Sequence, residues 1–230
     1  MRNLIRLDGL SCTTVEISYR KQIQPFLEFL QQNLDAAQRI QYLWFIQVDS
    51  NCSVWPTFDI IGLCPNIRAL ACHAEVLQYT LVYGKPDALL SKCVYLTLKG
   101  WWKRVGSYNR DRIQGFYDHV EALHLIGHFN NAPPPRADNP KMPSLRDALI
   151  STGRESLMRE SYFTALLECP EIKRVGIITQ LKPPSSDGMA DWISTRPKLA
   201  LIHRPRRWTE RKIFRDMAFD PENLWTANTT

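Results

Sequence analysis

Histidine is the first residue type in this chain whose spacing could indicate a chemical site. His119, His124 and His128 lie close together in the sequence and raise the question of a metal centre. On a strand that passes through His124, His119 has the opposite side-chain parity and His128 lies beyond the strand's end. The three imidazoles therefore do not converge as metal ligands must, and surface or loop histidines are the favoured interpretation.

The cysteines do not indicate a metal site either. The chain has six, which are Cys12, Cys52, Cys64, Cys72, Cys93 and Cys169. None forms the Cys-x-x-Cys or Cys-x-x-His unit of a zinc site, and no secretion signal is recognisable at the N-terminus. Buried free thiols in a reducing compartment are therefore expected. The adjacent pair Cys72 and His73 is better explained as a buried thiol beside an exposed ring than as a nucleophile and its base.

Motifs of common enzymes are missing from the sequence. No nucleophile elbow, phosphate-binding loop, dinucleotide fingerprint or zinc-protease helix occurs. Hydrophobic residues make up 44% and charged residues 23% of the chain, which is ordinary for a globular protein, and no apolar run approaches a membrane span. The sequence predicts a cytoplasmic or nuclear protein that is not an enzyme and needs no cofactor, metal or membrane. A hydrolase assembled from distant residues stays open as an alternative.

A repeat organises the chain. Strand-like runs follow the pattern apolar-x-x-apolar-x-apolar, and their fourth positions recur at intervals of 25 to 28 residues. These anchors are Val15, Leu43, Leu70, Leu96, Leu123, Ala148, Val175 and Leu201. Helical segments are predicted between them at Gln22–Asn33, Phe58–Leu63, Asp87–Ser91, Asp111–Asp118 and Glu155–Leu167.

This alternation predicts an α/β fold of about seven or eight irregular repeats. We expect a leucine-rich-repeat-like solenoid, in which a curved parallel sheet carries helices on its convex side. A doubly wound α/β domain is the alternative. The repeat domain would span residues 1–203, with a Pro-rich loop at 130–143, and a basic segment at 204–230 containing the helix Trp208–Met217 would close the open end.

Three segments carry a resemblance to a known family. Cys64–Cys72 (CPNIRALAC), His119–Phe129 (HVEALHLIGHF) and Cys169–Ile177 (CPEIKRVGI) resemble leucine-rich-repeat proteins, and more narrowly the F-box/LRR-like proteins of mushroom-forming fungi. In that family the repeats capture a substrate while an N-terminal F-box docks onto a Skp1-type subunit of a ubiquitin ligase. An F-box would open with a Leu-Pro pair, and none is seen before Arg39. A Skp1-type partner is therefore expected only if an F-box exists upstream.

The predicted register places one candidate binding surface on the concave face of the sheet. Outward-pointing residues on four neighbouring strands would lie close together. They are Tyr42, Trp44, His73, Tyr95, Lys99 and His124. Exposed aromatic side chains mixed with polar groups are typical of interface anchors. Alternatively, the C-terminal segment or the Pro-rich loop covers these residues, or a shift of one residue buries them.

Charge indicates a second candidate surface. Lys99–Arg112 holds five basic residues and one acidic residue, and Arg204–Asp216 holds six and two. Both segments begin where a strand ends, so a parallel sheet would place them on one basic rim. The predicted rim residues are Trp101, Trp102, Lys103, Arg104, Arg204, Arg206, Arg207 and Arg211. Such a rim fits an acidic protein surface, whereas the net charge of +6 is modest for a nucleic-acid binder.

These features favour a non-catalytic scaffold for protein–protein interaction. Its partner would be a substrate protein or an acidic protein surface, and one form it could take is the substrate-recognition part of an F-box-type ubiquitin-ligase adaptor. The alternatives are a structural repeat protein with no ligase role and a nucleic-acid-associated protein that uses the basic rim.

Overall fold

A computed structural model of the chain describes residues 14–46, 54–84, 90–100, 110–127, 141–151, 164, 166–179, 195–203 and 209–226. The strands in this part of the chain are β1 (Thr14–Glu16), β2 (Tyr42–Trp44), β3 (Ala69–His73), β4 (Tyr95–Lys99), β5 (Ala122–Ile126), β6 (Asp147–Ser151), β7 (Arg174–Thr179) and β8 (Leu199–His203). The helices are α1 (Ile23–Gln32), α2 (Leu34–Arg39), α3 (Val54–Leu63), α4 (Ala74–Tyr83), α5 (Arg110–Tyr117), α6 (Glu210–Phe219) and α7 (Pro221–Thr226).

The strands that the structure describes form one parallel sheet of eight, and their order in the sheet is their order in the chain. The predicted α/β class with a parallel sheet is therefore confirmed. A doubly wound sheet would reverse its strand order at a switch point, and no reversal occurs among these strands. The structure thus argues against the doubly wound alternative.

The pairing of the strands follows the anchors of the sequence repeat. Val15 pairs with Leu43, Leu43 with Leu70, and Leu70 with Leu96. The series continues through Leu123, Ala148 and Val175. The predicted register is confirmed for the first seven strands.

The eighth anchor is wrong by two residues. Val175 pairs with Leu199, whereas Leu201 pairs with Ile177. Leu199 and Leu201 point to the same face of a strand, so both choices bury leucine on that face and the apolar pattern does not discriminate between them. The side-chain parity is nevertheless as predicted.

One face of the sheet, here called the outer face, packs against α1, α3, α4 and α5. The anchor side chains and those two positions later form the core with the apolar stripes of these helices, such as Phe26, Ile60, Leu77 and Phe116. The predicted helix Gln22–Asn33 corresponds to α1, and Asp111–Asp118 corresponds closely to α5. Phe58–Leu63 is the second half of the longer α3, while most of Asp87–Ser91 and Glu155–Leu167 lies outside the described residues.

Helix α4 is an element that the sequence analysis missed. It begins at Ala74 directly after β3 and buries Val76, Leu77 and Leu81. Its sequence, AEVLQYTLVY, is rich in β-branched and aromatic residues that favour strands. The helical spacing of its buried residues was therefore masked by strand-like composition.

The opposite face of the sheet, here called the inner face, is covered by the C-terminal helices. Residues Ile213, Met217, Leu224 and Trp225 of α6 and α7 form a second core with inner-face residues such as Leu149. The predicted C-terminal helix Trp208–Met217 corresponds to α6, which runs from Glu210 to Phe219. The described part of this segment lies across the inner face, and not only beside the last strand, because it contacts strands from β1 to β8.

Candidate interaction surfaces

The inner face carries the six residues of the predicted concave-face site. The register aligns Tyr42 with Ala69 and Tyr95, and it places His73 beside Lys99 on the neighbouring strand. Trp44 and His124 lie in one row, separated by Ala71 and Thr97. The four strands bring together the residues that the sequence predicts, which are Tyr42, Trp44, His73, Tyr95, Lys99 and His124.

The expected exposure of this set is wrong for two of its members. Trp44 is buried and His124 is completely buried, while Tyr42, His73, Tyr95 and Lys99 are half-buried. The physical reason is helix α6, which buries its apolar side chains against this face and so covers the residues beneath it. The structure therefore favours the alternative in which the C-terminal segment covers the concave face.

Aromatic contacts fix α6 to strand β2 of the sheet. The rings of Trp44 and Phe214 are 5.2 Å apart between centroids, and those of Tyr42 and Phe219 are 4.2 Å apart. The rings of each pair are therefore in direct contact. Ala69 and Ala71 are completely buried in the same cluster, and their small side chains leave room for a helix to approach the sheet.

Helix α7 continues this cover over the later strands. Trp225 lies over the guanidinium of Arg174 at 4.8 Å, a cation–π geometry. Arg174 also donates hydrogen bonds to Asp147 at 2.7 Å and to Glu222 at 2.9 Å. The hydrogen bond from Arg174 lowers the pKa of the Glu222 carboxyl from its ordinary value. This inner-face arginine is thus bound by the protein's own C-terminal helix.

A serine and a histidine meet beneath this cover. His124 Nε2 and Ser151 Oγ are 2.7 Å apart, on the neighbouring strands β5 and β6. A serine beside an imidazole is part of the machinery of acyl transfer, which also needs access for a substrate. His124 is 0% and Ser151 5% exposed. The pair therefore joins two buried polar groups and offers no surface to a substrate in this arrangement.

The basic rim falls mostly outside the described residues. Trp101, Trp102, Lys103, Arg104, Arg204, Arg206 and Arg207 all lie outside them. Strands β4 and β8 end at Lys99 and His203. Because the strands are parallel, both residues lie on the side of the sheet where the carboxyl ends of the strands meet. Arg211 is described, and its Nη2 lies 2.6 Å from Glu16 Oε2. This ion pair joins α6 to β1, so Arg211 has a role in holding the cover.

The thiols that the structure describes are protected from reaction. Cys64, Cys72 and Cys93 are buried, as predicted, whereas Cys169 is half-buried and Cys12 and Cys52 lie outside the described residues. Burial raises the pKa of Cys64 and that of Cys93 to about 12, and it also raises the pKa of Cys72 and of Cys169. Because the thiolate is the reactive form, these residues are poor nucleophiles.

The described residues contain neither a cluster of metal-ligating side chains nor a membrane-spanning helix. No group of three or more His, Cys, Asp and Glu side chains in that part of the chain could hold a metal ion. None of its helices combines the length and the apolar character needed to cross a bilayer.

The outer face carries a surface that the sequence analysis missed. Trp55 and Phe58 of α3 and Tyr79 and Tyr83 of α4 form a cluster, here called the aromatic patch. Trp55 is 59%, Tyr79 39% and Tyr83 63% exposed. The ring centroids of Trp55 lie 5.9 Å from Tyr79 and 6.1 Å from Tyr83, and those of the two tyrosines are 5.4 Å apart.

Rigid helices position the aromatic patch. Tyr79 and Tyr83 are four residues apart on α4, a spacing that stacks side chains along one helix face. The opposite faces of both helices are anchored in the core, through Ile60 and Ile61 of α3 and through Leu77 and Leu81 of α4. The i, i+4 tyrosines were the signal available in the sequence, but it is informative only once α4 is recognised as a helix.

The helices that carry the aromatic patch hold acidic residues and no basic ones, whereas the flanking α2 and α5 carry Arg39, Arg110 and Arg112. Helices α1, α3 and α4 are neighbours on the outer face. They carry Glu28, Asp59 and Glu75 and contain no lysine or arginine. This is unusual in a chain whose net charge is +6, because the positive charge must then reside elsewhere.

Comparison of the chain with protein-family models and with curated proteins gave no match.

Proposed function

We propose that this protein is a non-catalytic scaffold for protein–protein interaction, and that it binds its partner through the aromatic patch. The observation that carries the proposal is the exposure of three contacting rings, Trp55, Tyr79 and Tyr83, on helices whose other faces are buried. Single exposed apolar residues are common on protein surfaces, whereas contiguous exposed patches mark interaction sites. Tryptophan and tyrosine are also the residue types most enriched among interface hot spots.

The inner face is less suited to the same role. Its central residues Trp44 and His124 are buried under α6, so a partner would have to displace the helix and the packing of Phe214. A catalytic role has similar difficulties, because Ser151 and His124 are enclosed by the fold. A scaffold needs neither a substrate channel nor a reactive thiol.

The leucine-rich-repeat relationship remains our interpretation of the fold. It is supported by the interval of 24 to 28 residues between the anchors that pair in the sheet and by a parallel sheet whose strand order follows the chain. Within that interpretation, the scaffold would be the substrate-recognition part of an F-box-type ubiquitin-ligase adaptor. Purified Skp1-type protein tested by calorimetry against this chain addresses this version: binding supports the adaptor role, and absence of binding shows that these repeats do not themselves dock a Skp1-type subunit, while the scaffold proposal stands.

The scaffold proposal is tested by comparing the proteins that three forms of the chain retain. The wild type, the double variant Trp55→Ala/Tyr83→Ala and the control Tyr19→Ala are immobilised, and retained proteins from source cells are quantified by mass spectrometry. Tyr19 is a matched control because it is 63% exposed, as Tyr83 is, and lies outside the aromatic patch. A set of proteins retained by wild type and control but lost by the double variant supports the proposal, and identical sets contradict it.

A further inference from the structure

We propose that the aromatic patch recognises a basic, proline-rich peptide segment in the polyproline II conformation. This inference rests on the proposed function and specifies the chemistry of the partner. Its three elements are the arrangement of the rings, their polar hydroxyl groups and the carboxylates of the two helices that carry the rings.

The three rings form a platform on the surface, and they do not enclose a cage that could hold an ammonium group. A cage for a methylated ammonium group needs rings that stand apart around a central space. Here the three centroid separations lie between 5.4 and 6.1 Å, which is the distance at which rings contact each other directly. Tyr79 and Tyr83 are inclined by only 25° and stack, so no space for an ammonium group remains between them. A ligand can therefore contact the three rings only on their solvent-facing side.

Proline rings are suited to such a platform. A polyproline II helix is extended, with three residues and about 9 Å per turn, and it loses little conformational entropy on binding because it is already ordered. The Trp55, Tyr79 and Tyr83 rings with their own widths cover about one such turn. Tyr79 and Tyr83 also carry hydroxyl groups that can donate hydrogen bonds to the free carbonyl groups of the ligand. Docking of proline-rich segments on aromatic side chains is a recurring mode of peptide recognition.

The charge pattern specifies that the peptide is basic. Asp59 follows Trp55 by four residues on α3, and Glu75 precedes Tyr79 by four residues on α4, so each carboxylate lies one helical turn from a ring of the patch. Glu28 lies on the neighbouring α1, and none of the three helices carries a basic residue. A phosphate backbone or an acidic segment would be repelled here, while arginine would be attracted both by the carboxylates and by the ring faces.

The test measures binding of fluorescent peptides to the intact chain by polarisation. The main probe has three Arg-Pro-Pro units, the charge control replaces arginine with glutamate, and the conformation control replaces proline with alanine. We expect the main probe to bind, both controls to bind at least about tenfold more weakly, and the affinity to fall as salt is raised. Trp55→Ala and Asp59→Lys should each weaken binding of the main probe by about tenfold or more, and Tyr19→Ala should leave it unchanged.

The outcomes separate this inference from the scaffold proposal. Trp55 and Asp59 are exposed, so circular dichroism and thermal unfolding should show both variants folded. The inference is overturned if the main probe does not bind, if the alanine peptide binds as tightly, or if Trp55→Ala binds as the wild type does. If Trp55→Ala/Tyr83→Ala nevertheless loses proteins that the wild type retains, the scaffold proposal survives with a partner of different chemistry.

Discussion

Phe214 packs against Trp44, ring on ring at 5.2 Å, although 170 residues separate them in the chain. Phe214 is buried, as is Trp44. The contact joins the C-terminal helix α6 to the second strand of the sheet. The contact makes α6 part of the folded core, and its contribution to the free energy of unfolding can be measured.

The first prediction concerns this contact. Phe214→Ala removes a buried ring that the surroundings refill poorly, so we expect the free energy of unfolding to fall by about 3 kcal/mol or more. Urea titration followed by tryptophan fluorescence measures the change. Phe219→Ala is the matched control, because Phe219 is 54% exposed on the same helix and its loss should cost about 1 kcal/mol or less. Equal effects of the two variants would show that α6 does not depend on this packing.

The second prediction concerns Gly176, which lies under Trp225. A Cβ atom at this position would come within 2.6 Å of Leu149 Cδ2, 2.7 Å of Ile202 Cδ1 and 2.9 Å of Trp225 Cη2. Gly176→Ala should therefore destabilise the protein by about 1–3 kcal/mol through overpacking, as measured by thermal or urea unfolding.

Gly62 provides the opposite control for this substitution. It lies in α3, and an added Cβ would meet no atom within 4 Å. Gly62→Ala should stabilise the protein by about 0.5–1 kcal/mol, because alanine restricts the unfolded chain and favours a helix. If both alanines have the same effect, the close approach of Trp225 to the sheet is not as described.

The third prediction concerns the buried hydrogen bond between His124 and Ser151. Ser151→Ala removes the partner of His124 Nε2 at a site without access to water. We expect a loss of about 1–3 kcal/mol in the free energy of unfolding, because a buried polar group is left unsatisfied. Ser18→Ala is the control, since the Ser18 hydroxyl bonds Glu16 at a half-buried position and its loss should have a smaller effect. A stability of Ser151→Ala equal to that of the wild type would contradict this assignment.

The fourth prediction concerns alkaline pH. Burial raises the pKa of the Cys64 and Cys93 thiols from 9.0 to about 12, so the folded state holds protons that the unfolded chain releases earlier. The resulting stability is fully present below pH 9.0 and is lost as the pH rises from 9.0 toward about 12. Urea unfolding at a series of pH values should show this decline.

Substitution of the thiols isolates their share of the alkaline decline. Cys64→Ala and Cys93→Ala should each reduce the slope of stability against pH above 9.0, even though each loses some packing at neutral pH. An unchanged slope in both variants would mean that other groups cause the decline.

The sequence predicted the framework because the repeat carries its own register. Leu43, Leu70, Leu96 and Leu123 pair in succession as their spacing indicates. It could not distinguish Leu199 from Leu201 at the last strand, because both have the same parity and the same apolar character. Local patterns determine which face a residue occupies, but they leave its partner undetermined when two equivalent choices lie two residues apart.

The candidate surface was less accessible to sequence reasoning. The apolar stripe of α6, with Ile213, Phe214 and Met217, shows that the helix must pack on something, but nothing local to the helix identifies the inner face as the target. The aromatic patch depends on α4 being a helix, and the composition of α4 is typical of a strand. Sites built from two distant segments require the tertiary arrangement before their residues can be recognised as neighbours.

The cover formed by α6 and α7 also has a consequence for the order of folding during synthesis. Strands β1 to β8 can pair one after another as they leave the ribosome, since each needs only its predecessor. Trp44, Leu149 and Ile178 nevertheless lack their covering partners until residues 209–226 have emerged. A nascent chain in which these helices have not yet emerged would therefore expose the apolar side chains of the inner face to water.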